Sequence, residues 1–251
     1  MPDAAVQEPH DDSESPLALL IAGVERARKL TVWSLLVLAI GTAVCWSWSQ
    51  EIYDLLARPL TRALAARGQD ERLVFTRLTD PFILYFTVSL FGGLIIASPV
   101  LLGQLFLIVA PRMRHRRVLA IVAFVLTATT LFLAGMAFCY LVLIPFAVSY
   151  LLEIGADFES AITVRDFLRF TVRLMLALGV AAQLPLVSFS AARLGLVSAR
   201  TLWRWFPYAV LAAFVLAAWL TPPDVLSQVL VAAPLLVLYL LGVAVAALAE
   251  R

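Results

Sequence analysis

The segment that decides the fold of this chain reads Leu220-Thr221-Pro222-Pro223-Asp224-Val225-Leu226-Ser227-Gln228 and joins two apolar runs. Each proline lacks a backbone donor and fixes φ, and Pro223 also disfavours the α conformation at Pro222, so a helix breaks here. The carboxylate of Asp224 can accept hydrogen bonds from the free N–H groups that open the next helix. The segment therefore predicts a tight reversal between two membrane helices.

The composition places the chain among membrane proteins. Apolar residues make up 63% of it and charged residues 14%, against about 45–50% and about 25% in soluble domains. One soluble core cannot bury that excess, so we expect an all-α integral membrane protein with several spans. The net charge of +2 is too small and too diluted by apolar sequence to indicate nucleic acid binding.

Six charge-free windows are each long enough for one membrane helix, which needs about 20 mostly apolar residues. The fifth offers only about 15 residues before the proline pair, near 22 Å of helix against a hydrocarbon core of about 30 Å, so it should thin the bilayer locally. Residues 17–249 are thus predicted to form one membrane domain, and the acidic residues 1–16 a disordered cytoplasmic tail rather than a signal peptide. The predicted spans are 30–50, 82–108, 118–144, 174–192, 206–220 and 225–247.

The loops indicate orientation and further helices. Eleven of the 19 Lys and Arg residues fall on the side of the two termini, which predicts that both termini are cytoplasmic. A helix is expected from Glu51 to a break at Pro59, and the long third window should end its helix at Pro145. Asp166, with Arg169 and Arg173 at helical spacing after it, predicts a helix that runs into span four.

The spans contain amides and hydroxyls but no ionisable residue near their middle. This argues against a proton pump with a buried carboxylate and against intramembrane aspartyl proteases or metalloproteases. No nucleophile–base pair, metal cluster or cofactor motif is visible, so neither an enzyme nor a bound metal is expected. Cys45 and Cys139 lie in apolar runs, where packing or a mutual disulfide would both be compatible with the sequence.

Three glutamines stand out among the membrane-embedded polar groups. Gln104 is interpreted as a partner in helix–helix hydrogen bonding. Gln183 and Gln228 lie beside helix-distorting prolines. Their amides can either form helix–helix hydrogen bonds within the bundle or serve as polar partners for freed backbone or an incoming helix, and both interpretations stay open.

Several short matches occur in the same order as in one membrane-protein family, and Leu220–Gln228 is the strongest of them. Over about residues 17–247 the chain resembles TatC, the core receptor subunit of the twin-arginine protein translocase. The further matches are Arg58-Pro59-Leu60, Asp80-Pro81-Phe82, Ala97-Ser98-Pro99-Val100 with Gln104, Ala110-Pro111, and Gly135-Met136-Ala137-Phe138 with Pro145.

The resemblance implies a concave, glove-shaped bundle of six helices in the bacterial inner membrane, with helices five and six short. It implies a receptor for folded proteins whose signal peptides carry paired arginines, within a larger complex of several copies driven by the proton gradient. Single-span TatA and TatB subunits would dock at helices five and six, and no cofactor would take part. The residues expected at that docking edge are Thr221, Pro223, Asp224 and Gln228, and those expected to serve the membrane structure are Gln183, Gln104, Pro59, Asp80 and Pro81.

The chain departs from the family pattern where signal recognition is expected. Glu25 is retained from the amino-terminal signature, but Ala22 and Ala27 replace its His and Arg, and Gln183 replaces a common Glu. The first inner loop carries His115-Arg116-Arg117 and no acid. Glu25 is predicted either to contact a signal peptide or to pair with a neighbouring basic residue at helical spacing.

Three hypotheses follow. The chain is a working TatC, or it is a divergent paralogue that assembles with partners and recognises signals weakly or atypically. A six-span small-molecule transporter is the third, but it would need binding groups at the midplane and usually inverted repeats, and the sequence indicates neither.

Overall fold

The structure is a computed structural model that describes residues 16–68, 77–109, 118–154, 163–221 and 224–250, with side chains described in 28–68, 77–104, 118–119, 121–154, 163–221 and 224–250. Nearly all of these residues are helical. The helices are α1 (Pro16–Trp46), α2 (Ser49–Ala65), α3 (Asp80–Val109), α4 (Val118–Phe138), α5 (Ile144–Ile154), α6 (Val164–Ala181), α7 (Leu184–Arg193), α8 (Ala199–Arg204), α9 (Phe206–Leu220) and α10 (Val225–Ala249).

The prediction of an all-helical membrane bundle is confirmed. Five segments are long and apolar enough to cross a bilayer, and α9 is a shorter apolar helix of 15 residues. α10 has 25 residues, so it is longer than the short sixth helix that was predicted. Of the predicted tail, residues 1–16, residues 1–15 lie outside the described part of the chain, and Pro16 is already the first residue of α1. The five long segments are Arg28–Trp46, Asp80–Gln104, Ile121–Ile154, Val164–Arg193 and Val225–Ala249.

The predicted helix break at Pro59 is wrong, because α2 continues through it to Ala65. Pro59 removes the N–H that would have bonded the carbonyl of Leu55 four residues earlier. The hydroxyl of Tyr140 donates to that carbonyl instead, at 2.6 Å. A tertiary contact thus satisfies the acceptor that the proline leaves without a donor, and the helix persists.

The predicted helix end at Pro145 is also wrong. A π-helical turn over Cys139–Leu143 follows α4, and its N–H···O bonds reach five residues back, as from Ile144 to Cys139. α5 then begins at Ile144, so Pro145 lies in the first turn of a new α segment, where a missing N–H costs little. The third membrane segment therefore extends to Ile154.

The fourth membrane segment combines two helices. The predicted helix entering span four is confirmed as α6, which Thr163 caps by accepting from the backbone N–H of Asp166. α6 ends at Ala181, and α7 begins after Gln183 with Pro185 in its first turn. Both Cys45 and Cys139 are buried free thiols, in agreement with packing rather than a disulfide.

The helix ends divide between two faces of the bundle. The turn face holds the starts of α3 and α6, where Arg165 lies against Asp80, together with the α9–α10 turn. The opposite, terminal face holds α8 and the end of α10, where a Glu250 carboxylate oxygen accepts from the backbone N–H of Ala199 at 2.5 Å. Between these faces α3, α4 and α6 form the centre, with α1 packed on α3 and α10 packed on α7 and α9.

Candidate functional site

The turn between α9 and α10 has the predicted geometry at both of its ends. α9 stops at Leu220, and Thr221 is extended, with φ of −110° and ψ of 161°. Asp224 caps α10, since its Oδ2 accepts from the N–H of Ser227 at 2.7 Å. Pro223 lies outside the described residues. The prediction that the Asp224 carboxylate accepts from the N–H groups opening the next helix is confirmed for one of them, that of Ser227.

The polar side chains predicted for partner docking are used within the chain. Thr221 is buried, and both its backbone N–H and its hydroxyl donate to the carbonyl of Ala217 at 2.9 Å. The amide Nε2 of Gln228, which is half-buried, donates to the carbonyl of Phe214 at 2.9 Å. Gln228 therefore ties α10 to α9, and its Oε1 accepts no hydrogen bond from a described residue.

An apolar row along α9 borders this turn. Tyr208, Leu211, Val215 and Trp219, which we call the α9 stripe, are 72%, 64%, 60% and 70% exposed. Their spacing of three and four residues places them on one side of the helix. Val225, at the start of α10, is 78% exposed and extends the apolar surface past the turn. The α9–α10 edge thus presents a wide apolar face next to one amide with a free acceptor.

Gln183 does not join this edge. It lies at the break between α6 and α7, is 8% exposed, and its Nε2 donates to the carbonyl of Ala128 in α4 at 3.0 Å. Of its two interpretations, the geometry favours the tie between helices over a ligand for an incoming helix. Gln104 forms a similar tie, since its Oε1 accepts from the hydroxyl of Ser34 at 2.5 Å and joins α3 to α1.

Asp80 anchors the turn-face end of α3. It is 3% exposed, and its Oδ2 accepts from the backbone N–H of Arg77 at 2.9 Å. Its Oδ1 lies 3.5 Å from Nη1 of Arg165 in α6. Pro81 follows as the second residue of α3. The backbone N–H of any residue at that position would lack a helical partner, so the proline costs no hydrogen bond. These residues and Pro59 belong to the part of the turn face formed by α2, α3 and α6, and none of them lies on the α9–α10 edge.

The terminal face holds the residue predicted to contact a signal peptide. Glu25 lies within α1, but its side chain is outside the described part of the structure, as is the loop with His115-Arg116-Arg117. The described cations of this face include Arg200, which is exposed, and Arg193, whose guanidinium lies 5.7 Å from the ring of Phe189. The acid Glu250 is already engaged, since it accepts from the backbone N–H of Ala199 at the start of α8.

Two contacts of the turn face were missed from the sequence. Tyr140 and Leu55 are 85 positions apart, and so are Arg165 and Asp80, so neither pair has a local signal. The helical spacing of Arg169 with Arg173 did indicate a charged side of α6, and Arg165 extends it by one turn. Among the described residues no group of three or more His, Cys, Asp or Glu side chains can hold a metal ion.

The chain matches one family over most of its length. The family model for the Sec-independent protein translocase protein TatC matches residues 24–234. The TatC of Koribacter versatilis is 35% identical over 224 residues, covering 89% of this chain and 83% of that protein. The TatC of Desulforapulum autotrophicum is 32% identical over 213 residues, covering 84% and 78% respectively.

Solved structures agree. A crystal structure of the twin arginine translocase receptor TatC matches with a TM-score of 0.82 and 28% identity, over 91% of this chain and 99% of that chain. A second crystal structure of TatC matches with a TM-score of 0.80. By its sequence over nearly the whole membrane domain and by its fold, this chain belongs to the TatC family of Sec-independent protein translocase proteins.

Proposed function

We propose that this chain is the membrane receptor of a twin-arginine translocase, which binds signal peptides of folded proteins and assembles single-span partner subunits. The observation that carries the proposal is the α9–α10 edge, where a helix too short for the bilayer presents an exposed apolar stripe beside the Gln228 amide. The proton gradient drives transport in this proposal, and both termini lie in the cytoplasm.

Partner docking follows from the physics of the short helix. At 1.5 Å per residue α9 spans about 22 Å, against a hydrocarbon core of about 30 Å, so the bilayer is thinned beside it. A partner helix of TatA or TatB type that packs on the α9 stripe removes that mismatch and covers Trp219 and Leu211. The free Oε1 of Gln228 then accepts from a polar group of the partner. Thr221 contributes by shaping the turn, since its hydroxyl is already bonded.

Signal recognition is assigned to the terminal face. Two guanidinium groups bind carboxylates through charge-assisted, often bidentate hydrogen bonds. Glu25 is the acid of the amino-terminal region that precedes span one. The first inner loop supplies no second carboxylate. We therefore propose Glu25 as the carboxylate that contacts the paired arginines.

A divergent paralogue with weak or atypical signal recognition is the second candidate. It is favoured by Gln183, whose Nε2 donates to Ala128 where relatives of this family commonly carry a Glu. Replacement of an acid by an amide at Gln183, together with a first inner loop that carries no acid, reduces the negative charge available to a twin-arginine peptide. Ala22 and Ala27 remove two further residues of the amino-terminal signature.

The test is complementation of a strain that lacks its own TatC. The reporter is a folded protein with a twin-arginine signal, and the control reporter carries two lysines in place of the arginines. Export of the first reporter alone supports the receptor. Normal membrane insertion and co-purification with TatA- or TatB-type subunits without export supports the paralogue. Insertion with neither export nor co-purification contradicts both.

A further inference from the structure

Three arginines line a cavity between α3 and α6 on the turn face. Arg165, Arg169 and Arg173 follow one another at intervals of four residues, so their side chains run along one side of α6. The cavity has a volume of about 200 Å³. The wall that α3 contributes consists of Ile83, Leu84 and Thr87, and α6 adds Leu168 and Val172 between its arginines.

The cavity carries more positive charge than its described surroundings neutralise. Arg165 has Asp80 within 4 Å, at 3.5 Å between Nη1 and Oδ1. In the described ranges, no carboxylate lies within 4 Å of Arg169 or Arg173. The Nε of Arg165 is buried and donates to no described acceptor. Two guanidinium groups without a described counter-ion, beside a third with a spare donor, form a site for an anion with several oxygens.

The depth of the row indicates what kind of anion it meets. Arg173 lies eight residues after Arg165, about 12 Å further along the helix. Its guanidinium stands 5.8 Å from the ring centroid of Trp219, in the last turn of the short α9. Tryptophan concentrates at the membrane–water interface, so the row crosses the level of the lipid headgroups and ends near the acyl chains.

We propose that this cavity binds the phosphate headgroup of an anionic phospholipid in the leaflet at the turn face. Arg169 and Arg173 hold the phosphate oxygens, and the acyl chains lie against the apolar walls beside Ile83 and Val172. The volume fits a headgroup and is smaller than the about 300–1,000 Å³ of sites that enclose larger ligands, which disfavours a peptide segment. The cavity is lined by residues of α3 and α6 alone and meets the α9–α10 edge only where Arg173 lies beside Trp219. Lipid binding there involves neither Gln228 nor Glu25, so it goes beyond the proposed receptor function.

Native mass spectrometry of the full chain in detergent tests the proposal, with phosphatidylglycerol and phosphatidylcholine added at equal concentrations. The wild type is expected to retain phosphatidylglycerol about tenfold better than phosphatidylcholine, and the R169Q/R173Q variant to lose that preference. The matched control is R58Q/R62Q. It removes two exposed arginines of α2, which are spaced by one helical turn and lie on the same face of the bundle. It should retain the wild-type preference.

A second variant guards against a folding defect. Ile83→Trp fills the cavity and leaves every charge in place, and it should lose the same preference while the protein stays monodisperse. Equal retention of phosphatidylglycerol by the wild type, R169Q/R173Q and Ile83→Trp overturns the proposal. Displacement of the lipid by millimolar inorganic phosphate, or retention of a polyglutamate peptide in place of the lipid, also overturns it in favour of a free-anion or peptide site.

Discussion

The hydroxyl of Tyr140 in the π-helical turn donates to the carbonyl oxygen of Leu55 in α2 at 2.6 Å, and that carbonyl is the one that Pro59 leaves without a helical donor. Proline and tyrosine thus act as a pair. The proline frees an acceptor on α2, and the tyrosine uses it to fasten α2 to the third membrane segment. The same arrangement occurs within α3, where the hydroxyl of Ser98 donates at 2.7 Å to Ile95, the carbonyl freed by Pro99.

Tyr140→Phe is expected to destabilise the protein by about 1 kcal/mol, because the Leu55 carbonyl loses its donor. Thermal unfolding in detergent measures the change. In a Pro59→Ala background the N–H of residue 59 can bond Leu55, so Tyr140→Phe should then cost clearly less. Tyr150→Phe is the control, since Tyr150 is half-buried and its hydroxyl bonds no described residue. Equal costs of Tyr140→Phe in both backgrounds would contradict the coupling.

Gly93→Ala is expected to weaken the packing of α1 on α3. A Cβ at Gly93 would lie 2.5 Å from the backbone nitrogen of Thr42 and 2.6 Å from its Oγ1, and backbone cannot yield as a side chain does. Overpacking of this kind costs about 1–3 kcal/mol. Gly103→Ala is the control in the same helix, because its Cβ would meet a methyl group of Val125 at 3.2 Å.

Both glycine variants are compared by thermal unfolding and by disulfide crosslinking of engineered cysteine pairs across α1 and α3. Loss of crosslinking in Gly93→Ala with little change in Gly103→Ala is the expected result. If the two variants unfold at the same temperature, close approach of the two backbones is not what holds α1 in place.

Local features of the sequence predicted the turn well. A proline pair stops a helix wherever it occurs, and an aspartate placed just after it meets the free N–H groups of the next helix without help from the rest of the chain. The Asp224 cap and the end of α9 at Leu220 therefore follow from adjacent residues. The shortness of α9 follows equally from counting residues before the break.

Prolines inside helices behaved differently from expectation because distant residues decide their effect. Pro59 was expected to end α2, but Tyr140 compensates for it from 85 positions beyond Leu55. The two functions left open for Gln228 also depended on packing, since its amide meets Phe214 only once α9 and α10 are antiparallel neighbours. Helical periodicity in the sequence can place a polar side chain on one face of its helix. It does not identify the hydrogen-bond partner on the neighbouring helix.

Gln228→Leu is expected to reduce co-purification of TatA- or TatB-type subunits severalfold while membrane insertion stays normal. The variant loses the Oε1 acceptor offered to a partner and the tie to Phe214, and a hydrogen bond between membrane helices is worth about 0.6–2 kcal/mol. The matched control is Gln183→Leu, which removes a buried amide bonded to Ala128 away from the α9–α10 edge. It should lower thermal stability and leave partner recovery unchanged. Equal loss of partners in both variants would indicate a general folding effect.

Glu25→Gln is expected to weaken binding of a twin-arginine signal peptide about tenfold or more, because hydrogen bonds to charged groups contribute about 1.5–3 kcal/mol. The amide keeps the size of the side chain but loses the charge and one acceptor oxygen, so α1 should remain intact. Fluorescence titration of the labelled peptide against the purified full chain measures the affinity.

Glu250→Gln serves as the control for charge on the same face, since Glu250 already accepts from the backbone N–H of Ala199 and should not meet the peptide. A peptide with two lysines should bind the wild type more weakly than the arginine peptide and lose less on Glu25→Gln, because lysine cannot form a bidentate bond to a carboxylate. Equal affinity of wild type and Glu25→Gln for the arginine peptide would mean that Glu25 pairs within α1 instead. The first inner loop, which carries no acid, would then favour the divergent paralogue over the receptor.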